Sequence, residues 1–205
     1  MFSLLSACVA GTCQLPAPTA ISDFGYSSCS HSSCVFVPDD QHPNTYLQGD
    51  LSYTVTEDGK FTLSRQQKVI FSTNLKDLSA SVSVAWSKTS DWFAITWSDG
   101  GAIGSFHARV FHLVGEKVNE AESVGIAYDD FRRRHSCRKR GDNVQAYGWD
   151  NDTGALVLLT SVYPTGDCGK DLGHTEAYLV RPVDGVILRH LSVSEFNVYA
   201  KSHPQ

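Results

Sequence analysis

The sequence has no basic residue before Lys60 and little charge of either sign. Charged residues make up 19% of the 205 residues, and the first 59 residues carry six acids with no lysine or arginine. The remainder holds all 17 basic residues against 16 acids, so the net charge of −5 arises in the first part of the chain. A protein that is acidic overall attracts nucleic acid poorly. We therefore predict no nucleic-acid partner.

Long apolar runs and the composition of a disordered chain are also missing. No segment approaches the ~20 consecutive apolar residues that a membrane-spanning helix needs. Hydrophobic residues make up 41% of the chain, which is ordinary for a globular protein and sufficient for a substantial core at this length. We expect a tether over residues 1–20, one β domain over 21–199 and a loose tail over 200–205.

Short alternating runs separated by turn residues dominate the chain after residue 34. One example is 51–56, which is followed by the turn pair Asp58-Gly59 and an apolar run at 61–63. Such a pair between alternating runs is a strong hairpin signal. One stretch departs from the pattern, because its apolar residues recur at spacings of three and four, as on a helical face. It predicts a short helix within 119–135, with a face formed by Val118, Ala121, Val124, Tyr128 and Phe131.

Two segments, 85–96 and 148–159, share an order of strand, tryptophan, polar turn and apolar strand. Their tryptophans, Trp86 and Trp149, lie 63 residues apart. This order resembles the hairpin of bacterial TolB-like and WD-like β-propeller blades. The resemblance implies a mostly β fold, an antiparallel meander that is propeller-like, with two to three blade-like sheets and one short helix near 119–135. A β-sandwich that contains two similar hairpins is the alternative.

The N-terminus resembles that of bacterial lipoproteins. Leu5-Ser6-Ala7-Cys8 is similar to a lipobox, and the Pro/Ala-containing segment 14–20 that follows is typical of an extended tether. The resemblance implies that Cys8 carries a lipid and that the protein lies in the cell envelope or is secreted. The basic segment that normally precedes a lipobox is missing, which a start codon upstream of Met1 would explain. A frayed apolar terminus is the alternative.

Cysteines also favour an oxidising compartment. Four lie in the body of the domain: Cys29, Cys34, Cys137 and Cys168. The simplest disulfide pairing joins Cys29 to Cys34 and Cys137 to Cys168, although sequence alone does not fix the pairing. Zinc is the alternative, with His31 between the first two cysteines and His135 beside Cys137. Structural zinc sites use matched ligand pairs, and only one loose pair is present, so we predict disulfides and no metal or other cofactor.

A basic cluster stands out between residues 132 and 140. It contains six cations: Arg132, Arg133, Arg134, Arg138, Lys139 and Arg140. Such a density of positive charge predicts binding of phosphates, anionic polysaccharide or lipid headgroups. The alternative is that nearby acids pair with these side chains and water solvates the remainder.

A second candidate region follows Cys168. If Cys137 and Cys168 pair, His135, Asp167, Asp171 and His174 would surround one pocket and could act as acids and bases. No motif joins a nucleophile, a base and an orienting group, so we predict no catalytic site. The residues that catalysis would use are His135, Asp167 and His174.

These features predict an exported or envelope-anchored binding protein that is not an enzyme. Its partner would be a protein or an anionic component of the envelope, and it would contact the membrane only through a lipid on Cys8. Two alternatives remain open. One is an exported hydrolase that uses His135, Asp167 and His174. The other is an inhibitor or immunity-type β module that blocks another enzyme.

Overall fold

The computed structural model describes residues 27–29, 33–36, 46–79, 81–100, 105–135, 143–162 and 169–203. These residues form antiparallel strands, two α-helices and one 3₁₀ turn at Gly169–Asp171. The helices are α1 (Ser123–Arg134) and α2 (Val193–Ser202). The strands are β1 (Ser27–Cys29), β2 (Ser33–Phe36), β3 (Tyr46–Gln48), β4 (Leu51–Val55), β5 (Lys60–Arg65), β6 (Lys68–Asn74), β7 (Val82–Trp86), β8 (Trp92–Ser98), β9 (Phe106–Val114), β10 (Lys117–Ala121), β11 (Val144–Trp149), β12 (Leu156–Ser161), β13 (Thr175–Val180) and β14 (Ile187–Ser192).

Within the described residues the strands build three sheets in which every pair is antiparallel. Sheet 1 has the order β1-β2-β7-β8-β9-β10, sheet 2 the order β3-β4-β5-β6, and sheet 3 the order β11-β12-β13-β14. Sheets 2 and 3 are therefore plain meanders, in which each strand pairs with the next along the chain. The predicted mostly β, antiparallel meander is confirmed.

The hairpin between β4 and β5 shows why a glycine is needed at its turn. Gly59 has φ +80°, a left-handed conformation that other residues rarely adopt. A Cβ atom built at Gly59 would lie 2.4 Å from the carbonyl oxygen of Leu75. The same glycine accepts the N–H of Leu75 at its own carbonyl oxygen across 2.7 Å. The turn thus fixes both the hairpin and the chain segment that leaves β6.

An aromatic core joins sheets 1 and 2. Phe93 of β8 stacks on Phe61 of β5 with ring centroids 5.9 Å apart, and on Phe111 of β9 at 5.0 Å. Trp86 of β7 contacts the same Phe93 ring at 4.8 Å. All four side chains are buried. Because each aromatic ring removes a large apolar area from water, this cluster is a major source of the stability of the two sheets.

Sheet 3 is covered on both faces. Leu156 and Leu158 of β12 are buried in one cluster with Phe131 of α1. Val157, which lies between them, is buried in another cluster with Tyr199 of α2. Successive side chains of a strand point to opposite faces, so the two helices lie on opposite sides of the sheet. This explains the continuous apolar run of β12, since neither of its faces meets water.

The sequence predicted one of the two helices. Helix α1 lies inside the range 119–135, so its position is confirmed. The predicted helical face was wrong in part, because Val118 and Ala121 lie in strand β10 and the helix begins only at Ser123. Helix α2 was not predicted, and it extends through Ser202, so residues 200–202 are helical and not part of a loose tail. The capping box at its start could have revealed it: the Ser192 hydroxyl accepts from the Glu195 N–H, and the Glu195 carboxylate accepts from the Ser192 N–H.

Neither helix of the described residues combines the length and the apolar character needed to cross a bilayer. Cys8 and the tether over 1–20 lie outside the described ranges. The resemblance to propeller blades and to lipoprotein N-termini therefore stays a prediction.

Candidate functional site

The end of α1 brings His135 to sheet 3. Phe131 is buried against the sheet, and His135 follows one helical turn later on the same side, with the two rings 4.5 Å apart. The His135 N–H donates to the Phe131 carbonyl oxygen across 3.1 Å, which closes the last turn of the helix. The backbone at His135 is already extended. The helix therefore fixes where this imidazole lies.

Strand β13 supplies the partner of His135. Tyr178 is fully buried on the face of sheet 3 that α1 covers. Glu176 lies two residues earlier and so points to the same face. His174 comes directly before the strand, and its N–H donates to the Asp171 carbonyl oxygen across 2.9 Å. The 3₁₀ turn holds the His174 backbone in this way. The His174 ring lies 4.3 Å from the His135 ring at the end of α1.

His135, His174 and Glu176, hereafter the His–Glu triad, place three potential ligand atoms together. Oε1 of Glu176 lies 3.2 Å from Nε2 of His135 and 3.1 Å from Nε2 of His174. The two imidazole rings lie 4.3 Å apart. The side chains of His135 and Glu176 are 12% and 13% exposed, whereas that of His174 is 43% exposed. The triad is thus recessed on one side and open to solvent on the other.

Arg134 fixes the carboxylate of the triad. Its Nη1 donates to Glu176 Oε1 across 3.0 Å, and its Nη2 donates to both Glu176 Oε2 and the Tyr178 hydroxyl. Burial raises the pKa of the Glu176 carboxyl, but hydrogen bonds from Arg134 and His174 outweigh this effect and hold the pKa at about 2. Glu176 is therefore a carboxylate at every physiological pH.

Two further carboxylates border the triad. Oδ1 of Asp171 lies 3.7 Å from Nδ1 of His135, the ring nitrogen that faces away from Glu176. Oδ2 of Asp130 accepts from Arg134 Nε across 3.2 Å and lies 3.8 Å from Nε2 of His190. An open groove of about 660 Å³ runs beside the triad, lined in part by His174, Glu176 and His190.

The described part of the basic cluster is largely engaged within the protein. Arg134 lies between Asp130 and Glu176. Arg133 donates to Asp130 Oδ1 across 3.1 Å, yet 72% of its side chain is exposed. The Arg132 guanidinium lies 5.6 Å from the centre of the Tyr128 ring. Arg138, Lys139 and Arg140 lie outside the described residues.

Some of the residues that catalysis would use lie close together in the structure. The structure brings His135, Asp171 and His174 together, as the sequence led us to expect, whereas Asp167 lies outside the described ranges. Sequence reasoning missed Glu176. The available signal was its spacing from His174, because residues two apart share one face of a strand.

The backbone also bears on one predicted disulfide. In the register of β1 and β2, Cys29 lies directly opposite Cys34. Opposed residues of antiparallel strands have Cα atoms roughly 4.5–5.5 Å apart, which is within the range that a disulfide spans. The pairing Cys29–Cys34 stays a prediction that this register permits. Cys137 and Cys168 lie outside the described residues.

A larger cavity of about 940 Å³ lies beside the start of α1, and several of its polar groups are engaged within the protein. The Nε of Arg109 donates to Glu120 Oε1 across 2.7 Å, and its Nη1 donates to Thr73 Oγ1 across 2.7 Å. His107 stacks on Trp97 with ring centroids 5.4 Å apart. Because these groups are already paired, this cavity does not indicate a particular ligand.

Comparison with known proteins found no family model and no curated protein that matches the chain.

Proposed function

We propose that this protein is an exported or envelope-anchored binding protein, not an enzyme, and that it binds an anionic ligand at the basic end of α1. The observation that carries the proposal is the exposure of Arg133. Its side chain is 72% exposed, and the Asp130 carboxylate that it contacts is shared with Arg134. Since Glu176 also holds Arg134, Arg133 is the arginine of this pair that lies mostly in water, within reach of an anionic ligand.

The sequence that follows α1 adds further positive charge. Residues 136–142 contain three cations and one acid, which is a net charge of +2. The cations are Arg138, Lys139 and Arg140. Arginine binds phosphate and carboxylate groups through paired hydrogen bonds, which suits a polymer or a surface that carries such groups. Arg134 is excluded from ligand binding because Glu176 and Asp130 already hold it.

Binding to anionic probes tests this proposal. The full chain would be applied to heparin and to vesicles that contain phosphatidylglycerol, with phosphatidylcholine vesicles as the neutral comparison. We expect binding to anionic probes that weakens as salt shortens the Debye length. The variant R133Q/R138Q/K139Q/R140Q should bind at least about ten-fold more weakly. The control variant K60Q/K88Q/K117Q/K201Q removes four exposed lysines elsewhere and should bind normally. Equal weakening in both variants would refute a specific site.

The location is tested by the mass of the mature protein from a Gram-negative host. A diacylglyceryl group on Cys8 is expected if the lipobox-like segment is functional. A mature chain that begins at an unmodified Met1 and carries free thiols would instead contradict export.

The closeness of His135 and His174 supports a second candidate, an exported hydrolase. The two rings lie 4.3 Å apart, and Asp171 lies 3.7 Å from the outer nitrogen of His135. A histidine between two carboxylates is suited to proton transfer. Ester or phosphoester hydrolysis that is lost in His135→Ala but kept in His190→Ala would favour this candidate over the binding protein.

A further inference from the structure

We infer that the His–Glu triad binds one divalent transition-metal ion of the zinc class, with Nε2 of His135, Nε2 of His174 and Oε1 of Glu176 as its ligands. This inference is independent of anionic-ligand binding, because it uses none of the cations that the proposed function requires. The three atoms all lie within 4.8 Å of one another.

The distances match what a tetrahedral ion needs. Zinc binds imidazole nitrogen and carboxylate oxygen at about 2.0–2.2 Å, so two ligand atoms at a tetrahedral angle are about 3.4 Å apart. Glu176 Oε1 lies 3.2 Å from one imidazole nitrogen and 3.1 Å from the other. These two pairs need to move apart by only a few tenths of an ångström to reach that separation, and the two nitrogens lie within 4.8 Å of each other.

The surroundings of the triad orient its ligands. A metal-bound histidine usually donates its other ring N–H to a carboxylate, which leaves the lone pair of the binding nitrogen free. Asp171 lies at that position, 3.7 Å from Nδ1 of His135. Arg134 holds the Glu176 carboxylate from the other side, with Nη2 on Oε2 and Nη1 on Oε1, and Oε1 still faces both imidazole nitrogens. Glu176 is thus held by Arg134, and a carboxylate lies close to the outer ring nitrogen of His135.

An entry path for the ion is present. The His174 side chain is 43% exposed, and the adjacent groove of about 660 Å³ leads to His174 and Glu176. Three protein ligands leave a fourth position, which water or another small ligand would occupy.

The ligand set favours one class of metal. Calcium and magnesium prefer six or more oxygen ligands, whereas imidazole favours zinc, copper, nickel and cobalt. Arg134 also offsets the charge of the one carboxylate, which weakens the attraction of a hard cation that relies on charge. The site should therefore discriminate against calcium and magnesium.

Titration of the full, tag-free chain with Zn²⁺ and Co²⁺ tests the inference. We expect one equivalent to bind, Co²⁺ to show the visible absorption of tetrahedral coordination without a thiolate charge-transfer band, and excess Ca²⁺ not to compete. His174→Ala and Glu176→Gln should lower the affinity by more than the roughly 10–100-fold typical of outer-shell changes, and Asp171→Asn by about that factor.

His190→Ala is the matched control, because His190 lines the same groove but lies outside the triad. It should bind the metal as the unchanged protein does. His174 is the more exposed histidine of the triad, so its alanine variant tests the site even if His135→Ala does not fold. The inference is wrong if the unchanged chain binds no ion, if His174→Ala binds equally well, or if a thiolate band shows that cysteines hold the metal.

Discussion

The indole Nε1 of Trp149 donates a hydrogen bond to the carbonyl oxygen of Ala85 across 3.1 Å. Trp149 ends β11 of sheet 3, and Ala85 lies in β7 of sheet 1, so this bond joins two sheets in the interior. The residue after Ala85 is Trp86, the tryptophan that corresponds to Trp149 in the repeated sequence pattern. Within the described part of the chain, the Trp86 Nε1 has no hydrogen-bond partner. Two similar hairpins thus use their tryptophans differently.

This difference predicts unequal costs for one substitution. Both tryptophans are buried, with 3% and 2% of the residue exposed, and phenylalanine removes a similar volume from each. Trp149→Phe also removes a hydrogen bond, which contributes about 1 kcal/mol. We expect urea denaturation to show that Trp149→Phe lowers the free energy of unfolding by about 1 kcal/mol more than Trp86→Phe. Equal losses would show that the bond to Ala85 contributes nothing.

A buried hydrogen bond holds α2 to sheet 3. The Tyr199 hydroxyl donates to Asp150 Oδ2 across 2.7 Å, and Asp150 is only 4% exposed. Hydrogen bonds to charged groups contribute about 1.5–3 kcal/mol. We expect Tyr199→Phe to lower the free energy of unfolding by about 2 kcal/mol at pH 7. Phe196→Leu, a change on the same helix without a hydrogen bond, is the control for packing alone.

The Asp150 carboxylate also predicts that the stability of the fold depends on pH. Burial raises the pKa of Asp150, but the bonds from Tyr199 and Thr153 outweigh it, so the pKa lies below its ordinary value of 3.8. A lowered pKa in the folded state gives stability that is present above the unfolded pKa and is lost as pH falls through the folded pKa. Thermal unfolding between pH 5 and pH 2 should therefore show a steeper loss of stability for the unchanged protein than for Asp150→Asn. Parallel curves would contradict this assignment.

Features that depend on residues close together in the sequence could be predicted. The position of α1 and its buried Tyr128 and Phe131 follow from apolar spacing, and the β4–β5 hairpin follows from Asp58-Gly59. Helix α2 was missed because it is short and buries only Tyr199 fully, so its apolar pattern is weak, and a capping box marks its start.

The His–Glu triad could not be predicted in full for a different reason. His135 and Glu176 lie 41 residues apart, and so their contact depends on the packing of α1 against β13. The sequence proposal that joined His135 to His174 assumed a disulfide between Cys137 and Cys168, and the described contacts join the histidines without it. The only local signal for Glu176 was its spacing of two residues from His174, which does not indicate a contact with α1.

The register of β1 and β2 predicts a disulfide that can be measured directly. Cys29 and Cys34 are paired residues of the hairpin, and a bond across so short a loop contributes about 2 kcal/mol in the chain-entropy model. We expect peptide mapping of oxidised, non-reduced protein to recover the two cysteines in one linked fragment. Cys29→Ser and Cys34→Ser should then lower the unfolding free energy equally. Linkage of either residue to any other cysteine would contradict the register.

The same substitution at the adjacent arginines Arg133 and Arg134 should lower the free energy of unfolding by different amounts. Arg134 is bound by Glu176, Asp130 and Tyr178, whereas Arg133 contacts Asp130 with most of its side chain in water. Removing one partner of a mostly buried ion pair leaves the other charge uncompensated, at a cost of several kcal/mol when burial is complete. Since 38% of the Arg134 side chain is exposed, we expect Arg134→Gln to lower the free energy of unfolding by about 2 kcal/mol. Arg133→Gln should change it by less than about 1 kcal/mol, as exposed pairs do.

Urea denaturation of both variants measures the contrast, because each removes one positive charge from the same helical turn. Net charge and helix dipole therefore change almost equally, and only the internal contacts differ. A large loss for Arg134→Gln alone would show that this arginine is part of the framework of the His–Glu triad. Equal, small losses would mean that the Arg134–Glu176 pair is no stronger than a surface contact, and Arg134 would then be available to an anionic ligand along with the rest of the basic cluster.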